Sequence, residues 1–580
     1  MNSFAHCLRE QARRYADTRW FAFVESRRGS AEETGRLTYT GLEQRARDIA
    51  ARLAGADATD QPVLLLYPAG LEFLSAFFGC LFARAIAVPA PLPATDPRAL
   101  ERAEAIIRDT GIRLILTDRA HQDALRQWLR GTALHAMVSC LATDTSPPPA
   151  APRTALPEVT PQTTAYLQYT SGSTGEPRGV AVSHANLLHN SQQIHTVIGS
   201  PKSGTGAGWL PHYHDMGLVG QLLQPLYAGG NMVFTSPITF VSRPAVWLQM
   251  ISRYRAAFTF GPDFAYAWLV RTVRDEDLRT LDISCLEWAL NGAETVRAST
   301  LRTAVERLGP IGFRPQAWAP AYGMAESTLL ITGSHRGAGP RTRHVDATRL
   351  THHRALSVPD GTGTELVSSG RPVGADLRIV DPRTTTPLPD GHVGEIWVAG
   401  HSVAQGYWGH EQATRDTFQA HFSDGTGPFL RTGDLGFLLE GELYVTGRLK
   451  ELVIVNGRNL YPQDIEEAGR NAHPAAGAGA AFGVDTGREH IVLIQEVHEN
   501  KLDGLTHREL AGLIKQAVRS TTGTPSSLVL VPRNTVHRTT SGKIQRTRMR
   551  ETFLARFLRP LHTDIHPDIS AYLDNVPVRQ

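Results

Sequence analysis

The chain has 580 residues, of which 41% are hydrophobic, with 59 Lys and Arg against 56 Asp and Glu for a net charge of +3. That composition is ordinary for a soluble globular protein, and the length predicts roughly three to four structural units. So balanced a charge leaves no footprint of nucleic-acid or membrane-surface binding, and partners have to be read from sites. Four cysteines, Cys7, Cys80, Cys140 and Cys285, lie far apart with no CxxC pair. They argue against a zinc knuckle or a disulfide framework and for a reducing cytoplasm. The N-terminus, MNSFAHCLREQARRYAD, is charged and amphipathic and lacks the apolar run of a signal peptide. The most hydrophobic window, Leu71 to Pro91, carries Glu72 and Arg84 and ends in prolines, so no membrane span is expected.

In chain order, helical periodicity over Phe4 to Tyr15 and Leu42 to Ala54 alternates with short strands at Trp20 to Val24 and Leu37 to Tyr39. Val63 to Tyr67 is a continuous apolar run of the kind central parallel strands show. A helix over Leu71 to Ala83, a strand over Ala85 to Pro89, a helix over Pro97 to Thr110 and a strand over Leu114 to Thr117 continue the rhythm. It predicts an α/β sheet covered on both faces. A connector with Pro147, Pro148, Pro149, Pro152, Pro157 and Pro161 leads to Tyr166–Tyr169, a strand that runs into Thr170, Ser171, Gly172, Ser173, Thr174 and Gly175.

That hydroxyl- and glycine-rich turn cannot pack a core. Its chemistry is donation: backbone N–H groups freed by glycine, with Ser and Thr hydroxyls, form a concave surface suited to phosphate oxygens, and Arg178 adds a cation. It is not a GxxxxGK[ST] loop, because no Lys-Ser or Lys-Thr pair comes after the second glycine. A helix over Ala185 to Val197 precedes the polar and aromatic turn Gly208 to Leu218, which holds His212, His214 and Asp215. No third metal ligand stands at a telling spacing, so the turn reads as a substrate-pocket wall rather than a metal site. The helix after Gly261-Pro262 is rich in aromatics that serve a core or an apolar tunnel. Glycine marks two strand-to-turn transitions, Trp288 to Glu294 and Ala321 to Ser327. From about His335 to Leu366 the texture changes to glycine, proline, four histidines and five arginines, by default a solvated loop. Strands resume at Leu377 to Val380 and Glu395 to Ala399. Gly400-His401-Ser402-Val403-Ala404 lacks the last glycine of a hydrolase elbow, and a Gly-Tyr-Trp turn comes next. After the strand Leu452 to Val455 a smaller α+β unit ends in Arg538 to Ile544.

The ordered series YTSGSTGEPRG, NGAE, YGMAES, RTGD, GRLKELVIVNGRNLYPQDIE and TTSGK resembles the acyl-adenylating superfamily of acyl-CoA synthetases, luciferases and peptide-synthetase adenylation domains. LPHYHDMGL, LLYPAGLEF, GPDFAY and the insertion after YGMAES look most like the fatty acyl-AMP ligases within it, over roughly residues 5 to 550. The resemblance implies a large N-terminal α/β domain, 1–450, with an insertion about 335–366, and a small mobile α+β domain, 451–580. It implies ATP-dependent activation of a medium- to long-chain fatty acid to acyl-AMP with release of pyrophosphate. Transfer to the phosphopantetheine thiol of an acyl carrier protein would come second, for polyketide, lipopeptide or lipid biosynthesis.

Both reactants are anionic, so catalysis must be mainly charge neutralisation and in-line positioning. By resemblance, Thr170 to Gly175 would hold the β- and γ-phosphates, and Glu326 would fix Mg²⁺, a hard ion that takes oxygen ligands. Asp434 would accept hydrogen bonds from the ribose hydroxyls, Arg448 would approach the ribose, Asn291, Gly292, Ala293 and Tyr322 would frame the adenine, and Met324 is a further cofactor-binding candidate. Lys543 would sit between carboxylate and α-phosphate, and it joins Glu326 and His214 as a catalytic candidate. His212, Asp215, Phe260, Asp263 and Phe264 are the substrate-binding candidates, and Lys450 the hinge.

Three departures from the family pattern stand out. Arg178 replaces the usual lysine, Asp263 stands where asparagine is usual, and Phe260 stands near a position usually small. Phe260 would shorten the acyl tunnel, favouring medium chains; Asp263 would alternatively meet an amino or guanidino group on the substrate. Competing readings are a CoA ligase of the same superfamily and a catalytically silent binding homologue.

Overall fold

The computed structural model describes residues 2–93, 97–145, 157–170, 177–199, 204–455, 458–539 and 542–575. Two layered sheets build the large unit. The first runs in the order Ser139–Ala142, Leu114–Thr117, Pro62–Tyr67, Ile86–Pro91, Thr164–Thr170, Arg178–Ser183, parallel except for the last hairpin. Pro62–Tyr67 is central and buried at every position, and each fully buried Val or Leu there contributes about 1.5–3 kcal/mol. The helices Leu71–Ala83 and Pro97–Thr110 have the bounds expected from periodicity. Ser183 opens the helix His184–Ile198 with a capping box completed by Asn186, which satisfies two orphan donors reciprocally.

The second sheet has nine strands, six of them a parallel run: Trp318–Gly323, Trp288–Asn291, Phe258–Gly261, Thr205–Gly208, Asn231–Phe234 and Trp20–Arg27. Asn291 and Gly323 are the last residues of their strands. The mouth of an open α/β sheet lies at those carboxyl ends, where ligands bind. A four-stranded antiparallel sheet, Asp376–Val380, Gly394–Ala399, Leu430–Leu439 and Glu442–Arg448, brings Asp434 opposite Arg448.

Residues 335–366 are not the solvated loop their composition predicts. Thr342–Val345 pairs with Thr364–Val367, and a short helix, Ala347–Leu350, lies between them. Val345, Leu350 and Ala355 are buried against Val393, Leu435, Phe437, Tyr444 and Tyr461. The segment also meets the chain beyond residue 450. Asn459 donates to the Thr351 carbonyl from its backbone N at 3.0 Å and from Nδ2 at 2.9 Å, and its Nδ2 lies 2.7 Å from His353 Nε2.

The C-terminal part packs the helices Pro462–Asn471 and His507–Thr522 on one side of a sheet of Ala476–Asp485, Glu489–Val497, Ser526–Pro532 and His562–Asp564, with Arg546–Leu554 in a separate apolar cluster. Arg546 ties it together. Its guanidinium holds Glu466 at 2.7 and 2.8 Å and Glu451 at 2.5 Å. No helix among the described residues is long and apolar enough to cross a membrane.

Candidate active site

The turn Gly208 to Leu218 is shaped by one close approach. A Cβ on Gly217 would lie 1.9 Å from the Pro211 carbonyl oxygen, so only glycine lets the chain fold back there. Asp215 caps the next element, accepting from Met216 N at 2.8 Å, and Met216–Leu223 is a π-helical stretch, a geometry common at functional sites. His212 is buried against Phe73, with ring centroids 4.0 Å apart. Among the described residues the one grouping of three potential metal ligands is His490, His566 and Asp568, not this turn.

Burial pushes His212 and His214 down to about 3, and for His214 the nearby Lys543, Arg102 and His212 add to it. Buried His184, whose Nδ1 accepts from Phe4 N at 3.2 Å, is held down to about 4. Unfolded histidine titrates near 6.5. Below that pH the unfolded chain binds protons that these three refuse, so stability is retained above about 6.5 and falls as pH drops towards the folded values. Thermal melts between pH 7.5 and 5 should show a Tm that holds above about pH 6.5 and falls below it, with a shallower fall in His184→Gln; a flat profile throughout would refute the assignment.

At the carboxyl end of Trp318–Gly323, Tyr322 donates to Asp434 Oδ2 at 2.9 Å, and Arg448 Nε lies 3.1 Å from Asp434 Oδ1. Asn291, fully buried, donates through Nδ2 to Asp263 Oδ1 at 3.0 Å, and its Oδ1 has no partner among the described residues. A buried acceptor of this kind takes its donor from a ligand or an ordered water. Gly292 lets the chain pass close to the neighbouring strand, since a Cβ there would lie 2.7 Å from the Ala321 carbonyl oxygen. Ala293 comes next with φ +66°. Met324 is half-buried, its N–H donating to Leu329 O at 2.9 Å. Glu326 is buried in the turn Ala325–Ser327. Its Oε1 accepts from Tyr407 at 2.9 Å, and burial raises its pKa.

Lys543 arrives from the other unit. Its N–H donates to Thr539 Oγ1 at 3.0 Å, and a Cβ on the preceding Gly542 would lie 3.0 Å from the Phe264 ring. Burial lowers the ammonium, as does Arg448; Asp215, Glu294 and Asp434 pull it back up. An ion pair of 3.3 Å between Arg297 and Glu467 also joins the two parts. Lys450 lies exposed in the turn Leu449–Glu451.

Asp263 needs correction. Besides Asn291 it accepts from Thr300 Oγ1 at 2.8 Å and from Arg297 N at 3.2 Å. Those three donors satisfy the carboxylate, which removes the physical reason for an amino or guanidino group on the substrate. Phe260 is buried, with ring centroids 5.9 Å from Phe258 and 5.7 Å from Trp288. Phe264 stands edge-on to Trp209 at 6.5 Å.

Thr170 ends its strand opposite Arg178, whereas Ser171, Gly172, Ser173, Thr174 and Gly175 lie outside the described residues. Two groups at the site escape a reading of the sequence alone. Glu294 accepts from Phe264 N at 2.5 Å and faces Lys543. Arg102 has its Nε buried without a partner among the described residues. Both depend on contacts between segments far apart in the chain.

The layered α/β architecture, with a C-terminal unit that brings Lys543 within electrostatic reach of Asp434, is the fold of adenylate-forming enzymes. The family of AMP-binding enzymes matches residues 8–408, and the chain belongs to it. It is 40% identical over 538 residues, 90% of each chain, to a medium-chain-fatty-acid–[acyl-carrier-protein] ligase, JamA, of Moorena producens. It is 34% identical over 95% of its length and 92% of the relative's to a 4-hydroxyphenylalkanoate adenylyltransferase of Mycobacterium tuberculosis. The crystal structure of a fatty acyl-adenylate ligase from Legionella pneumophila in complex with acyl adenylate and pyrophosphate superposes with a TM-score of 0.74 at 35% identity, over 97% of this chain and 98% of that one.

Proposed function

We propose that this chain joins a medium-chain fatty acid to ATP, releases pyrophosphate, and passes the acyl group to the phosphopantetheine thiol of an acyl carrier protein. The observation that supports the reading most is Lys543, which the C-terminal unit brings within electrostatic reach of Asp215, Glu294 and Asp434, the last hydrogen-bonded by Tyr322. A carboxylate and an α-phosphate repel, and an ammonium between them offsets a repulsion that peaks as the bond forms.

The residues fit the nucleotide. Asn291 Oδ1 would accept from the adenine amine, and Asp434, already oriented by Tyr322 and Arg448, would accept from the ribose. Glu326 fits Mg²⁺, since it is a buried carboxylate with one oxygen oriented by Tyr407. An ion held by one carboxylate and by phosphate oxygens is common for Mg²⁺, and it would supply charge neutralisation there. The turn from Thr170 to Gly175 would take the β- and γ-phosphates. His212 and His214, neutral at physiological pH, would present uncharged walls to the acid. The enzyme would work in the cytoplasm, where ATP and holo carrier proteins are found, and its four cysteines are unpaired.

The carrier thiol is favoured over CoA by the similarity to the Moorena ligase and by the grip of the 335–366 insertion on Asn459. The deciding experiment is a product assay with ATP, a ladder of fatty acids, and either CoA or holo carrier protein. Acyl-carrier product without acyl-CoA supports the reading; acyl-CoA as the main product makes the chain a CoA ligase, and no pyrophosphate with any acid makes it a silent homologue. Phe260 sets the length expectation: Phe260→Ala should move the preferred acid to longer chains, read as kcat/KM across the ladder, and an unchanged profile would remove Phe260 from the tunnel.

A further inference from the structure

The Gly-Tyr-Trp turn at residues 406–408 packs against the hairpin whose two strands, Thr164–Thr170 and Arg178–Ser183, flank the proposed phosphate-binding turn in the sequence. It lies along the strand Arg178–Ser183: Ala181 N donates to Gly406 O at 2.9 Å, Gln405 N to Ala181 O at 3.0 Å, and Trp408 N to Gly179 O at 2.8 Å. Just beyond, His410 Nε2 lies 2.8 Å from Asp109 Oδ1, and the other oxygen of Asp109 accepts from the Tyr169 hydroxyl. Asp109 therefore pins this segment to the strand Thr164–Thr170 as well, so both strands of the hairpin are fastened to it. Within that frame the Tyr407 side chain has little freedom. Its ring packs edge-on to Phe418 with centroids 5.1 Å apart, and its backbone N donates to Thr414 Oγ1 at 2.9 Å.

Tyr407 touches two charged groups of opposite sign. Its hydroxyl donates to Glu326 Oε1 at 2.9 Å, and the Arg178 guanidinium lies over its ring face, 5.5 Å from the centroid. We propose that Tyr407 is a positioning residue for adenylation: its hydroxyl fixes the Glu326 carboxylate and its ring face holds Arg178. The inference rests on the reading of Glu326 as the carboxylate at the triphosphate. It also accounts for an arginine at position 178, because a planar guanidinium stacks on an aromatic face where an ammonium would be placed as a point charge.

Only the first half-reaction contains the β- and γ-phosphates, which gives the test its separation. In the full-length protein, Tyr407→Phe keeps the ring and removes the hydroxyl, while Tyr407→Leu removes both. A hydrogen bond to a charged group is worth roughly tenfold or more in affinity. Tyr407→Phe should weaken Mn²⁺ binding to the complex with a non-hydrolysable ATP analogue, measured by EPR, by roughly that factor and raise KM for ATP. Tyr407→Leu should lose more. Transfer of the acyl group from synthetic acyl-AMP to the thiol should be unchanged in both variants. Unaltered Mn²⁺ affinity and ATP KM in Tyr407→Phe overturn the proposal, as does an equal loss of both half-reactions with a lowered Tm, which would make Tyr407 merely structural. Glu326→Gln separates the two layers. If it leaves Mn²⁺ binding and adenylation intact, the reading of Glu326 itself fails; if it impairs both while Tyr407→Phe does not, only the role of Tyr407 fails.

Discussion

Lys543→Ala should bind ATP normally and form acyl-adenylate roughly 10²–10³ times more slowly, the usual loss when a donor aimed at developing charge is removed. The geometry explains why the loss is confined to one step. Lys543 is carried on the turn after Thr539 and stands within electrostatic reach of Asp215, Glu294 and Asp434. The groups proposed to grip the nucleotide base and ribose, Asn291, Tyr322 and Asp434, belong to the other unit and keep their own hydrogen bonds without it. ATP affinity by equilibrium binding should thus be nearly unchanged, whereas pyrophosphate release with a fatty acid should collapse. Thiol transfer from synthetic acyl-AMP should survive, because that step has no α-phosphate to be attacked by a carboxylate. Unchanged pyrophosphate release would exclude the role.

Lys450→Pro should do the reverse, sparing adenylation and blocking thiol transfer. Lys450 is the second residue of the turn Leu449–Glu451, where φ is about −60°, close to the value proline enforces. An N–H at the second position of such a turn has no intrahelical acceptor, so its loss costs little. The cost in the present arrangement falls on Leu449, since a residue before proline disfavours helical dihedrals. A few-fold drop in adenylation is the largest loss expected. Rotation of the C-terminal unit to admit a thiol needs a change of φ at the pivot, which the ring forbids. Rapid-quench measurement of each half-reaction would decide it; normal transfer in Lys450→Pro places the pivot elsewhere.

The helices Leu71–Ala83 and Pro97–Thr110 were legible to the residue because apolar periodicity and flanking turn residues coincide there. The insertion was not. Its hairpin strands carry Thr, Arg, His and Glu, and the few residues that pack, Val345, Leu350 and Ala355, keep to no single period. The order of the motifs named the chemistry, yet it could not show what Asp263 binds, because Asn291, Arg297 and Thr300 come together only in the folded chain. The same limit hid Glu294 and Tyr407, whose meaning lies in the groups they face rather than in their neighbours along the sequence.

The Arg546 clasp has a mechanical consequence. Because one guanidinium grips both Glu451, next to the proposed pivot, and Glu466, on the first C-terminal helix, a twist at that pivot would not be absorbed by slack in the chain beyond it. It would be delivered to the far end as displacement of a rigid lever. Loosening that joint, as Glu451→Ala would, should leave each chemical group in place yet blur the timing with which the lysine leaves and the thiol arrives.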